Sequence, residues 1–170
     1  MEMPGVLLIG VGNPDRCDDS VGLVVARSLA AKNLPDVTII ESRGEGISLS
    51  ETWEGADSVI LVDAVSSGAE PGTVLRLEAD RATVPTRMFR SSTHNFGVGE
   101  AIEMARSLNR LPRRLTVFGI EGKDFEMGIG ISSEVVRAAR RVVTTIAEEI
   151  KTEARGSSRT RRRRRTYRTA

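Results

Sequence analysis

Val6-Leu7-Leu8-Ile9 is apolar at every position, and it runs straight into Gly10-Val11-Gly12-Asn13-Pro14-Asp15-Arg16-Cys17-Asp18-Asp19-Ser20-Val21-Gly22 and then a helical pattern. A strand without polar alternation is buried on both faces, which happens where helices cover both sides of a parallel sheet. Gly10 and Gly12 are expected to let the chain turn sharply at the strand's carboxyl end. Asn13-Pro14-Asp15 is turn chemistry, and Asp18, Asp19 and Ser20 fall where a helix starts, as caps and first-turn acids. In an open α/β sheet, ligand sites lie in such carboxyl-end loops. A dinucleotide fingerprint is excluded by spacing, because its third glycine would stand at Asp15. The acids of this loop would also repel a pyrophosphate.

Further along, the same grammar repeats. Helical spacing continues through residues 22–32, with Val21, Val25 and Leu29, joined by Val24 and Ser28, marking one face. Residues 37–40 are a β-branched strand, and residues 47–53 a short helix with Ile47, Leu49 and Trp53 inward. Val59-Ile60-Leu61-Val62 is a second buried strand that ends at Asp63-Ala64-Val65, leaving an acid where solvation is poor. Residues 73–78 alternate and read as a half-exposed, antiparallel edge strand. After an irregular loop come Ser92-Thr93-His94-Asn95 and a helix over 96–109, with Phe96, Ala101, Ile102, Ala105 and Leu108 inward. His94, the single histidine, would lie at that helix's N-terminus and be held neutral, the metal-binding form. Residues 115–120 form the last buried strand. A Gly-rich loop follows, then a helix whose stripe is Val135, Ala139, Val142, Ile146 and Ile150, widened by Val136 and Val143. The expected architecture is a three-layer α/β/α fold, with a mostly parallel twisted sheet of about five strands flanked by helices, of the phosphorylase/hydrolase-like kind.

The 170 residues suit one domain, expected over 1–151, and an Arg-rich tail over 152–170. Residues 155–170 hold eight arginines and no acid, so without them the net charge of +2 becomes −6. The body is acidic and the basic balance belongs to the tail, which is expected to be disordered. Its contact with nucleic acid is expected to be limited to weak, non-specific phosphate attraction. No apolar run reaches a membrane span, and Met1-Glu2-Met3-Pro4 lacks a signal-peptide pattern, so a cytoplasmic protein without membrane contact is expected. The expected state is a monomer. Cys17 is the only cysteine, which excludes an intrachain disulfide and a multi-cysteine metal site. As a nucleophile it lacks a neighbouring base in sequence.

Asp19, Asp63 and His94 all fall at or beside carboxyl ends of strands. Their separations of 44 and 31 residues form no local metal motif, so they converge only if the sheet brings their loops together. Two carboxylates and one imidazole would then make an open site suited to a divalent first-row metal.

Gly10-x-Gly12-Asn13, the acidic pair Asp18-Asp19 and Gly22 together resemble the opening of the hydrogenase maturation proteases, endopeptidases that trim the C-terminus of the nickel–iron hydrogenase large subunit. Leu61-Val62-Asp63-Ala64-Val65, Ser92-Thr93-His94-Asn95-Phe96-Gly97, Gly119-Ile120-Glu121 and Gly128-Ile129-Gly130-Ile131-Ser132 continue the likeness over about residues 5–150. The resemblance implies that Asp19, Asp63 and His94 bind metal and that Asp19 and Asp63 serve catalysis, an aspartic-type endopeptidase activity. It implies nickel carried by the substrate rather than kept by the enzyme, and the precursor of the hydrogenase large subunit as partner. The expected function is removal of a C-terminal peptide from that nickel-loaded precursor; the alternative is a nickel-binding maturation factor without proteolysis. Many members carry Asp-Gly-Gly in the second loop, where this chain has Glu41-Ser42-Arg43-Gly44, which leaves the hydrogenase type open.

Overall fold

Each continuously apolar run is a strand between two helical layers in the computed structural model, which describes residues 5–89 and 96–165, without the side chains of 157–165. The strands are β1 (Val6–Val11), β2 (Val37–Ser42), β3 (Ser58–Val65), β4 (Val74–Glu78) and β5 (Arg114–Glu121); the helices are α1 (Val21–Ala30), α2 (Gly46–Thr52), α3 (Val98–Ser107) and α4 (Ser133–Arg165). One five-stranded sheet has the order β2-β1-β3-β5-β4. The pairs β1–β2, β1–β3 and β3–β5 are parallel, and β4 runs antiparallel on the edge beside β5. The three-layer fold and the antiparallel edge strand are as the sequence predicts.

The side-chain alternation of the strands divides the core in two. Ile60, Val62, Phe118 and Ile120 face α1 and α4, where they pack on Val21, Val25, Leu29, Val135, Val142 and Ile146. Val59, Leu61, Val65, Leu115 and Val117 face α2 and α3, where they pack on Leu49, Trp53, Ala101 and Ile102. Among the described residues no helix is long and apolar enough to cross a membrane.

Local expectations of which helix residues face inward fail where the helix turns a different face to the sheet or where neighbouring side chains already cover it. Val24 and Ser28 turn away from the α1 core, while Gly22, Leu23 and Ala26 are buried instead. Ile47 and Leu108 are exposed, because the short helices α2 and α3 already cover the sheet with Leu49, Trp53, Ala101, Ile102 and Ala105. α4 runs on past residue 151, as helix to Arg165. Its last buried apolar residue is Ile150. Just beyond it Lys151, Glu153, Ala154 and Arg155 are good helix formers, and adding turns to a packed helix needs no new nucleus. Residues 166–170 lie outside the described residues.

Candidate functional site

Chain order and strand order part company at β1. The chain leaves β1 for β2 on one side and then returns to β3 on the other, so a crevice opens at the carboxyl ends of β1 and β3, the place where open α/β sheets bind ligands. The loop after β1 enters this crevice through glycine. Gly10 and Gly12 are not turn glycines, since neither has positive φ. They are close-approach glycines. A Cβ on Gly12 would stand 2.2 Å from the Asp19 carbonyl oxygen, and one on Gly10 2.3 Å from that of Gly22. A Cβ on Gly22 would stand 2.1 Å from the Val11 carbonyl oxygen and 2.3 Å from that of Val62. Side chains at these positions would push the start of α1 off β1 and β3.

The pressed segment is a 3-10 helix, Cys17–Ser20, that leads into α1 with no side-chain cap. Asp18 and Asp19 are therefore not the helix caps expected from sequence. Both are buried in this short helix, which packs against β3. Asp19 is 1% exposed. Its Oδ2 accepts the Asn13 backbone N–H at 3.1 Å, while its Oδ1 is buried without a hydrogen-bond partner. Burial pushes the Asp19 carboxyl up to about 6, against the opposing pull of the Asn13 N–H and the Arg16 guanidinium. The Asn13 side chain sets this up: its Oδ1 accepts the Asp15 N–H at 3.0 Å, an Asx turn that orders the loop. Turn chemistry is visible there in the sequence but this support for Asp19 is not; the Asn-x-Asp spacing is its signal.

Asp63 is fully buried. It does not end its strand, because β3 runs two residues further and pairs Asp63 with Gly119. By alternation it points to the α2–α3 side, between Leu61 and Val65. On that side the Phe96 carbonyl accepts the Gly46 N–H at 3.3 Å, which pins the approach to α3 at the carboxyl edge. Glu100 Oε2 accepts the Gly97 N–H at 3.0 Å and fixes the start of α3. The fold thus brings the Asp19 and Asp63 segments to one crevice. His94 lies outside the described residues, and among those described no group of three or more His, Cys, Asp or Glu side chains is arranged to hold a metal ion.

The neighbouring acids are occupied. Asp18 Oδ2 accepts the N–H groups of Lys123 and Asp124 at 2.8 and 2.9 Å and the Ser132 hydroxyl at 2.8 Å, while Oδ1 accepts the Ser132 N–H at 2.7 Å. Glu121 takes the Ser67 N–H and hydroxyl and the Gly68 N–H. Cys17 has its thiol raised, by burial first and then by the Asp124 and Asp18 carboxylates, a setting that opposes a nucleophilic thiolate.

The profile of the hydrogenase maturation proteases matches residues 23–149. The chain belongs to this family. The hydrogenase 2 maturation protease of Escherichia coli is 29% identical over 134 residues, covering 76% of this chain and 80% of that protein. The hydrogenase expression/formation protein HupD of Rhizobium leguminosarum bv. viciae is 31% identical over 125 residues, covering 72% of this chain and 62% of that protein. The structure of the hydrogenase maturating endopeptidase HybD from Escherichia coli matches with a TM-score of 0.71 over 88% of this chain and 93% of that one, at 22% identity, a likeness of fold. As a member of the hydrogenase maturation proteases, the chain is an endopeptidase, and its sheet and flanking helices match the HybD fold.

Proposed function

We propose that this protease removes a C-terminal peptide from the nickel-loaded precursor of a nickel–iron hydrogenase large subunit, and that the nickel is part of the substrate it recognises. The observation that carries the reading is Asp19 Oδ1. A buried carboxylate oxygen without a hydrogen-bond partner is costly, and it stands at the crevice where ligands bind in this fold. A hard oxygen donor there suits a divalent ion that arrives with its other ligands already attached. Asp63 supplies a second carboxylate from β3, two residues before its end, and His94, two residues before the pinned Phe96, is the proposed third ligand.

The chemistry follows from the groups in the crevice. Hydrolysis adds water to the scissile carbonyl, and the attacking water loses a proton to a carboxylate, that of Asp19 or of Asp63, which then passes it to the leaving amine. A carboxyl held at about 6 is better matched to proton transfer near neutral pH than an ordinary aspartate. Cytoplasmic processing by a monomer fits this reading.

The test is processing of the purified precursor with and without nickel, by wild type and by His94→Ala. Release of a short C-terminal peptide only from the nickel-loaded precursor, lost in the variant, supports the reading. An intact nickel-loaded precursor overturns it, and nickel-dependent association without cleavage favours the non-proteolytic maturation factor.

A further inference from the structure

Among the described residues four large apolar side chains are exposed: Ile47 at 66%, Met127 at 73%, Ile129 at 94% and Leu108 at 55%. Single exposed apolar residues are ordinary. The distribution is what carries meaning. Leu108 follows α3 at the amino edge of the sheet, while the other three stand at the carboxyl edge, around the crevice that holds Asp19 and Asp63. Ile47 is in the first turn of α2, just beyond β2. Met127 and Ile129 are in the loop between β5 and α4. The two groups belong to opposite helical layers, since α2 covers one face of the sheet and Phe125 and Ile131 of the loop pack on the other core.

The second group is held, not loose. Met127 and Ile129 flank Gly128, whose N–H donates to the Asp15 carbonyl at 2.9 Å and whose carbonyl accepts the Cys17 N–H at 3.0 Å. Arg16 Nε donates to the Phe125 carbonyl at 3.1 Å, and the Asp18 carboxylate anchors the loop at Lys123 and Asp124. The backbone that carries these two apolar side chains is thus held by the same segment that positions Asp19, and the side chains stay in water with no intramolecular burial to offset their exposure. Fixing them in advance lowers the ordering cost of binding.

We propose that Ile47 on one side and Met127 with Ile129 on the other form two apolar lips that grip apolar side chains of the precursor segment lying across the crevice. This rests on the proteolytic reading above. It makes these three residues determinants of substrate affinity without a part in the chemistry, so their loss acts on KM and leaves kcat in place.

The experiment compares processing of the nickel-loaded precursor by wild type, the triple variant Ile47→Ser/Met127→Ser/Ile129→Ser, the conservative pair Met127→Leu/Ile129→Val, and Leu108→Ser as a control at the far edge. The triple variant is expected to raise KM about 30-fold, with kcat within about twofold and an unchanged melting temperature. The conservative pair and Leu108→Ser are expected to match wild type. Unchanged KM in the triple variant, an equal rise in Leu108→Ser, or a loss confined to kcat overturns the proposal while wild-type processing stands. Failure of wild type to process the precursor overturns the proteolytic reading, and the lips with it.

Discussion

Asp18 and Asp19 are consecutive, lie in one short 3-10 helix and are both buried, yet their surroundings are opposite. Asp18 accepts four hydrogen bonds from residues more than a hundred positions away and ties the loop after β1 to the loop after β5. Asp19 accepts one, from Asn13, and keeps a buried oxygen without a partner. A buried carboxylate that is fully satisfied is a fastener. One that is half-satisfied and sits at a ligand crevice is a site, because binding can supply what folding left out. The Asp18 knot also sets the cost of the Asp19 arrangement, since it clamps the 3-10 helix in place while the crevice side stays unfulfilled.

The largest effect that separates the two residues is on catalysis. Asp19→Asn and Asp63→Asn should each lower precursor processing about a thousandfold with the protein folded, measured as kcat/KM alongside circular dichroism. Next comes stability. Asp18→Ala removes the buried acceptor of three part-buried N–H groups and a hydroxyl and should cost about 2–4 kcal/mol, lowering the melting temperature by roughly 10 °C, with activity following the folded fraction. Loss of activity by Asp18→Ala at unchanged melting temperature would break the comparison, because Asp18 would then act in the chemistry. A smaller effect is expected from Gly22→Ala, whose Cβ would meet the carbonyl oxygens of Val11 and Val62. Overpacking there should cost about 2–3 kcal/mol and weaken processing as well, since α1 and the 3-10 helix move together.

The residues that could be placed from sequence are those whose local pattern is tied to burial. Val6–Val11, Ser58–Val65 and Arg114–Glu121 announce themselves as parallel strands because nothing in them except Asp63, Thr116 and the end residues is polar or charged. Asp63 could be singled out because an acid set in an apolar strand run has few ordinary explanations, and Asp19 through the resemblance of its loop to the family's opening. Partnership across the chain could not be read. Ser132 lies 114 residues from Asp18, and no spacing rule links them. Without that knowledge the two acids of the pair look alike. Gly10 and Gly12 were visible as glycines, but a glycine that turns the chain and one that admits a neighbouring carbonyl have the same letter. Only the register of β1 against β3 and the approach of α1 decide between them.

The finest distinction between the two acids is thermodynamic, and its sign follows from the proton count. Asp19 has an ordinary value of 3.8 and is raised to about 6 in the folded protein by burial. Between those values the native state keeps a proton that the unfolded chain has released, so this group's contribution to stability falls as pH rises and the penalty is complete above about pH 6. Asn at this position carries no charge to desolvate and still offers an oxygen to the Asn13 N–H. Asp19→Asn should therefore be more stable than wild type by about 1–2 kcal/mol at pH 7.5, the gain being trimmed by the weaker bond from Asn13 and the lost attraction to Arg16. At pH 4 the advantage should be nearly gone. Urea denaturation of both proteins at the two pH values measures it. A variant less stable than wild type at pH 7.5 would mean that Asp19, like Asp18, is held by hydrogen bonds its replacement cannot make, and the contrast between fastener and site would fail at its root.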